Sequence, residues 1–510
     1  DLHSFPTRRS SDLHIVFLII LPLATLSCNK FLDVQPDDQV LQEKLYETNE
    51  GVRIAVNGVY RLLSSQDTYG KNLTWGFASA IGYNYDIYNL PWEIYDAAQF
   101  NWASSTTQAV TESIWKKSYN TLANINNLIQ EVEKKDSSFF KEKSREKNMV
   151  LGEMYGLRAM IHFDLVRIFA PSPASGHTGE AIPYVSSYPD YQPARLTMPA
   201  LFEKMVADLK QAQTLLGDVD TVYLRQVMRA GVGRIRGNSG WMTLPQGDFF
   251  NFRAQRMNFF AATGMLARVY MYFQDFANAE ASSKFIYDYQ KRNWFQWTQA
   301  FNQGQVSDVD YIYTKRPDEL MLCFSNAQNY DNYETLINTG GAGSTYFMMN
   351  DAYMTELFEG DFDDYRLVGW YNRYNDMRYI TWARPRGNSY YADLVRNDQG
   401  PLLPVMRFTE MYHILIECYT RAGKITDAVT ILNDLRLRRG AKVKISTAIS
   451  ADELMEVLIK DIVRETLTEG QTFFLFKRLN RNIYNGATDR IMQPTDWFAL
   501  LPQSEVDYQL

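Results

Sequence analysis

Apolar residues recur at steps of three and four along most of this chain, and most runs end on a helix-stopping signal. The clearest case is Pro404 to Gly440. Phe408, Met411, Tyr412, Leu415, Tyr419 and Ala422 share one face, and Ala428, Ile431, Leu432 and Leu435 share another. Gly423 between them can take the left-handed conformation that ends a helix. Arg436, Arg438 and Arg439 crowd the last turn, where cations meet the negative dipole end, and Gly440 closes it. The stretch therefore predicts two amphipathic helices joined by a tight turn. The same periodicity predicts helices over 45–63, 110–134, 144–169 and 197–216, the last capped by Thr197, and a second helix pair over 257–292. Tyr270 and Ala279 mirror the spacing of Tyr419 and Ala428, the aromatic and small-residue pattern of tetratricopeptide-type pairs. The two pairs lie far apart in sequence, so no tandem array is predicted. Ser450 and Glu453 form a capping box ahead of the stripe Leu454, Val457, Leu458 and Ile462.

Three stretches break the period: 64–108, 217–253 and 294–403. They are rich in Tyr, Trp, Asn, Asp and Gly, and such long structured loops tend to carry function. LMLCFS at 320–325 reads as a strand, and the tail MQPTDWFALLPQSEV as extended. The predicted fold is mainly α, with tetratricopeptide-like helix pairs as scaffold and a loop-rich, irregular insertion region. It forms a single domain over 28–510, its helical scaffold at about 40–63, 110–216, 257–292 and 404–480.

Composition narrows the function. A net charge of −7 argues against a nucleic-acid protein, which would carry a basic face. Aromatic residues make up 14% of the chain, with 33 Tyr, and rings with a polar handle suit both core edges and ligand platforms. His162, His177 and His413 are scattered without metal-ligand spacing, and His413 reads as a packed core residue. The Gly-rich run at 339–345 lacks the lysine of a phosphate loop, and no nucleophile-elbow motif is present. Asp361, Asp363 and Asp364 read as a solvated turn. No cofactor and no metal is predicted. Cys323 and Cys418 fall in apolar settings and read as buried thiols.

Cys28 is different. Ile15 to Leu26 is apolar but too short to span a membrane, which needs roughly 20 residues, and it fits the core of a signal peptide over 1–27. Small residues and then Cys28 follow, as in a bacterial lipoprotein signal, although Thr25 stands where that motif favours Leu. The alternative is an ordinary cleaved signal with an incidental cysteine. Residues 1–12 read as a non-native prefix, or else as a basic leader carrying Arg8 and Arg9.

Several segments together resemble the SusD/RagB family of outer-membrane nutrient-binding lipoproteins. They are CNKFLDVQP at 28–36, IWKKSYNTLANINNLI at 114–129, GEMYGLRAMIHFDLVRIFA at 152–170, the helix pair at 404–440, RETLTEGQTFFLFKRLN at 464–480 and ALLPQSEV at 499–506. The resemblance implies a binding protein rather than an enzyme, lipid-anchored at the cell surface through Cys28. It implies a lid on a SusC-like TonB-dependent transporter that captures oligosaccharide before import, with the helical side facing the transporter. A peptide- or protein-binding lid, or a structural subunit of the same transporter, is the alternative. Arg158, Arg366 and Glu465 match family positions and read as buried ion or capping networks. For the ligand, ring-bearing loops are the place to look. Trp75, Tyr85, Asp86, Trp92 and Trp102 are the candidates in the first, and Trp294 and Trp297, with Tyr311, Tyr330 and Tyr333 nearby, in the third. For each ring the competing role is packing its loop against the helices.

Overall fold

A computed structural model describes residues 44–231, 233–236, 247–300, 315–336, 346–374, 377–380, 399–484 and 489–508. Cys28 with its signal segment, Tyr311, the 339–345 run and the side chain of Tyr330 lie outside the described residues. The chain divides into a short N-terminal unit, Asp1–Gly51, and a main unit, Val52–Leu510.

The long periodic runs are helices. They are α1 (Asn49–Leu63), α2 (Ser105–Glu133), α3 (Lys143–Phe169), α4 (Met198–Asp218), α5 (Phe259–Tyr272) and α6 (Phe276–Lys291), followed by α7 (Phe408–Arg421), α8 (Ile425–Arg438), α9 (Ala451–Thr466) and α10 (Thr472–Leu479). Local chemistry sets their ends. Ser104 accepts from Thr107 N at 3.2 Å, Asn258 from Ala261 N at 3.0 Å, and Ser450 with Glu453 forms the predicted capping box. Thr197 holds the cap position of α4 but makes no side-chain bond there; Pro199 in the first turn leaves one donor fewer to satisfy. Gly423 and Gly440 both adopt positive φ, 72° and 80°.

From α2 to α8, each helix packs against the next in chain order. The region 294–403 separates α6 from α7 in sequence, yet those two helices lie side by side. Cys418 Sγ on α7 is 3.7 Å from Met271 Sδ on α5, and Lys291 on α6 pairs with Asp434 on α8 at 2.8 Å. The two helix pairs are thus one continuous stack, interrupted in the chain but not in space. Close approach relies on glycine where α3 meets α4: a Cβ on Gly152 would lie 2.6 Å from Leu216 Cγ.

The predicted strand Leu320–Ser325 (β1) exists and pairs antiparallel with Leu402–Arg407 (β2), which precedes α7. The start of the Pro404–Gly440 stretch is therefore strand rather than helix. A small three-stranded sheet joins Met349–Asn350, Met377–Ile380 and Tyr371–Tyr374. Two irregular segments hold more order than their sequence suggests. Short helices Phe77–Ile81 and Trp92–Ala98 occur within 64–108, and the tail carries a 3₁₀ turn, Pro494–Trp497, and a helix, Gln503–Tyr508. Elements of four to seven residues are too short to show a period.

Buried charge stitches the C-terminal helices together. Glu465 on α9 accepts from Arg316, from Arg366 at 3.2 Å and from Arg439 at 2.6 Å. Burial alone would raise its pKa, but Arg316, Arg439 and Arg366 outweigh it and hold the carboxyl well below the usual range. Arg366 also binds Asp364 and Asp461, at 2.7 and 2.8 Å. Asp364 is thus a buried partner, against the solvated turn read from the sequence; only Asp363 matches that reading, paired with Lys442 at the surface. Arg158 binds Asp208 through two nitrogens at 2.6 and 2.7 Å. All three family-matching residues, Arg158, Arg366 and Glu465, sit in buried ion networks.

Candidate functional site

The segment 83–98 is held from below. Asp86 N donates to Met348 O at 2.8 Å, and Phe347 N donates to Asn89 O at 2.8 Å, so two backbone bonds clamp it to the neighbouring chain. Beneath lies a pedestal of buried rings. Trp75 is fully buried; its indole N–H donates to Asn329 Oδ1 at 3.2 Å, and its ring meets Tyr333 and Phe347 edge-on at 5.2 and 5.3 Å. Tyr85 donates its hydroxyl to Trp75 O at 2.6 Å and packs on Phe347. Asn84 reaches sideways, donating to Thr472 Oγ1 at 2.9 Å and accepting from Thr468 N at 3.2 Å.

Three aromatic rings stand above this pedestal. Tyr88 is 86% exposed, Trp92 68% and Tyr95 38%. Asp86 caps the turn that carries Tyr88, accepting from Tyr88 N at 2.9 Å. Pro91 opens the short helix Trp92–Ala98 and places Trp92 and Tyr95 three residues apart, on neighbouring positions of one face. All three lie within eight positions of this one clamped segment, which makes it the candidate contact surface. Asp86 also borders a narrow cleft of about 20 Å³ shared with Tyr83, Asn84, Asn350, Tyr353 and Tyr484. There the Tyr484 hydroxyl donates to Glu356 at 3.1 Å; burial, then that carboxylate, pushes its pKa up to about 12, so it stays a donor.

The candidate residues therefore separate. Trp92 is exposed and Asp86 borders the cleft, within one segment. Trp75 and Tyr85 are buried supports of that segment. Trp102 is buried too, its N–H donating to Thr495 O at 3.1 Å. Trp294 is buried in a ring cluster with Phe260 and Tyr289, and half-buried Trp297 packs edge-on against Phe408 at 4.8 Å. Trp75, Trp102 and Trp294 are buried and their rings are covered by neighbours, while Tyr85, also buried, borders the cleft beside Asp86. The cleft residues Asn350, Tyr353 and Tyr484 were not singled out by sequence. Asn350 and Tyr353 come from one stretch and Tyr484 from another, and only the fold brings them to Asp86. The one local signal was the Pro-Trp-Glu helix start at 91–93.

A family model described as starch-binding, associating with outer membrane, matches residues 30–235, and the model of the SusD family matches residues 276–494. The chain belongs to the SusD/RagB family. It is 21% identical over 547 aligned residues to the SusD-like protein P38 of Formosa agariphila, covering 96% of this chain and 97% of that one. Its fold resembles that of a SusD superfamily protein from Bacteroides thetaiotaomicron, with a TM-score of 0.66 at 18% identity, covering 90% of this chain and 98% of that one. It also resembles a SusD-like carbohydrate binding protein from Bacteroides vulgatus, with a TM-score of 0.64 at 15% identity, covering 90% and 96%. These likenesses support the mainly helical SusD-type fold. Among the described residues no helix is long and apolar enough to cross a membrane.

Proposed function

We propose that this SusD-family protein captures oligosaccharide at the cell surface and passes it to a SusC-like TonB-dependent outer-membrane transporter. Capture uses the Tyr88–Trp92–Tyr95 surface, with Asp86 and the adjoining cleft supplying polar contacts. The observation that carries this reading is the exposure of three rings on a clamped segment. Sugar rings present apolar C–H faces that stack on indole and phenol, while carboxylate, amide and hydroxyl groups bond their hydroxyls. A family model described as starch-binding, and a structural relative named as carbohydrate binding, support the same class. The protein acts by binding and not by catalysis. Lipidated Cys28 anchors it to the outer membrane, and the stacked helices face the transporter.

Calorimetry of the mature chain against oligosaccharides, starting with α-glucan oligomers, tests the ligand. Trp92→Ala is expected to weaken binding at least tenfold, about 1.4 kcal/mol. Wild-type affinity in both Trp92→Ala and Tyr88→Ala removes this surface from the function. Binding of extended peptides with no response to any oligosaccharide overturns the ligand class. For the anchor, a Cys28→Ser chain expressed in a lipoprotein-processing host loses fatty-acid label and leaves the membrane fraction; label retained on that variant rules the anchor out.

A further inference from the structure

The chain carries no Lys, Arg or His at any of the 44 positions between Lys71 and Lys116. At 52 Lys and Arg in 510 residues, a stretch of this length would hold about four or five cations. Its carboxylates are Asp86, Glu93, Asp96 and Glu112. Glu112, on α2, pairs with Lys116 at 2.7 Å. The other three lie on the segment that carries Tyr88, Trp92 and Tyr95, and among the described residues none of them has a cationic partner. Glu93 is exposed, and Asp86 and Asp96 are half-buried. Among the described residues, Lys460 and Arg490 come near the rim, and each has an acid beside it. Lys460 lies 6.0 Å from the ring of Tyr484 and pairs with Glu359 at 3.2 Å. Arg490 lies 5.6 Å from the ring of Phe100, on which Tyr83 stacks, and Tyr83 feels Arg490 and Asp496 as opposing charges.

Each of the three carboxylates has a local use, and none of these uses needs a charge. Asp86 accepts from Tyr88 N at 2.9 Å and Asp96 from the Thr106 hydroxyl at 2.9 Å, bonds that an amide oxygen accepts as well. Glu93 stands in the first turn of a seven-residue helix, where the dipole favours an exposed carboxylate only weakly. What the three share is sign. The rings add to it, because the face of an indole or phenol is the negative side of its quadrupole and repels an anion laid against it. Carboxylates and ring faces therefore act in the same direction on a ligand that lies across this surface.

We propose that Asp86, Glu93 and Asp96 make this surface select against acidic glycans, so that the oligosaccharide captured here is uncharged or amine-bearing and carries no uronate or sulfate groups. The proposal rests on the oligosaccharide reading for its ligand and narrows that ligand's class. Glu93 adjoins Trp92 and Asp96 adjoins Tyr95, with Cα atoms about 3.8 Å apart, so a sugar stacked on either ring lies within the Debye length of about 8 Å at physiological salt. Carboxylates accept from sugar hydroxyls and from ammonium groups but have nothing to donate to a uronate or sulfate. Recognition of those groups calls for Arg or Lys donors, which this segment lacks. The repulsion grows with each acidic group along an oligomer, whereas a neutral oligomer of the same length is unaffected.

Two measurements on the mature chain test it, and the first needs no ligand. Trp92 is the one exposed tryptophan among the described residues, so the difference in fluorescence between wild type and Trp92→Phe isolates its emission. Quenching of that emission by caesium, normalised to N-acetyltryptophanamide, is expected to exceed quenching by iodide about twofold or more at low salt. Combining Asp86→Asn, Glu93→Gln and Asp96→Asn brings the two ions together, and Glu93→Gln alone gives part of that change if the triple variant misfolds. Equal quenching by both ions in wild type overturns the proposal. The second measurement is calorimetry with neutral, amine-bearing, uronate and sulfated oligosaccharides of equal length. Neutral or amine-bearing members are expected to bind about tenfold or more tighter than acidic ones at low salt. The gap closes in the triple variant and in 1 M salt, where the Debye length falls to about 3 Å. An acidic oligosaccharide that binds wild type as tightly, and loses affinity in Trp92→Ala, overturns the proposal. No response to any oligosaccharide overturns the capture reading instead, a failure that the quenching result tells apart, and binding of lysine-rich peptides in their place overturns the ligand class.

Discussion

The buried His162 makes acid stability a quantitative test of the core. Its Nε2 accepts from Val185 N at 3.0 Å, so that nitrogen is bare and the hydrogen sits on Nδ1, which donates to Arg158 O at 2.8 Å. The ring stacks on Tyr184 with centroids 3.8 Å apart. A second proton would have to enter at Nε2, against the Val185 N–H. Burial first, and then the Arg158 charge, bring its pKa from 6.5 down to about 3. The folded state thus binds its proton later than the unfolded chain does. The resulting stability is complete above pH 6.5 and is lost as pH falls from 6.5 towards 3. At pH 4.5, two units below the unfolded value, the loss is about 2.7 kcal/mol at roughly 1.36 kcal/mol per unit. Urea unfolding of wild type and His162→Gln at pH 7.5 and 4.5 reads it. The substitution lowers stability at both values, so the quantity of interest is the difference in pH dependence, in which the shared carboxylates cancel. Wild type is expected to lose about 2.7 kcal/mol more than the variant over that interval. Parallel pH dependence would show that His162 titrates normally and would refute the tautomer and burial assigned to it.

Three further outcomes follow from the packing. Glu465→Gln leaves Arg316, Arg366 and Arg439 short of a buried counter-charge and is expected to cost about 3–5 kcal/mol in urea unfolding, whereas an exposed pair such as Lys284–Asp288 can be removed for less than about 1 kcal/mol. Gly152→Val forces α3 and α4 apart at Leu216, with an expected loss of about 1–3 kcal/mol and a lower thermal midpoint. Burial pushes the thiols of Cys323 and Cys418 up to about 12, so in a Cys28→Ser chain neither reacts with a thiol reagent at pH 8 until the protein unfolds; rapid labelling of the native protein would contradict their placement.

The helical scaffold was legible because each long helix repeats its apolar face several times and carries its own end signals. Gly423, Gly440 and the Ser450–Glu453 box behave as their local sequence predicts. What was not legible depended on distant partners. Nothing near Trp75 shows that its N–H meets Asn329, 254 residues away, so a buried support and an exposed ring look alike in sequence. Asp364 looked solvated because its partner Arg366, two residues on, is buried only through its own bond to Asp461, 95 residues away. The pairing of α6 with α7 was hidden for a similar reason: sequence distance was read as spatial distance, and a long insertion need not separate the helices that flank it.

The same long-range contacts bear on how the aromatic surface works. Ordering a loop on binding costs free energy for each residue fixed, so a segment already fixed retains more of its contact energy as affinity. Here the fixing runs from α9 to the surface through short steps. Glu465 locks the end of α9; just beyond it Thr468 N and Gly470 N donate to Asn84 Oδ1 and Ser79 Oγ at 3.2 and 3.1 Å; Asn84 leads directly into Tyr85 and Asp86. Gly470, at φ 72°, is the tight point, because a Cβ there would strike Leu73 O. The scaffold therefore determines where Tyr88, Trp92 and Tyr95 are held; under the proposed capture role, the identity of those three residues would set the ligand. Under that proposal, ligand choice would change at those positions without touching the network that supports them.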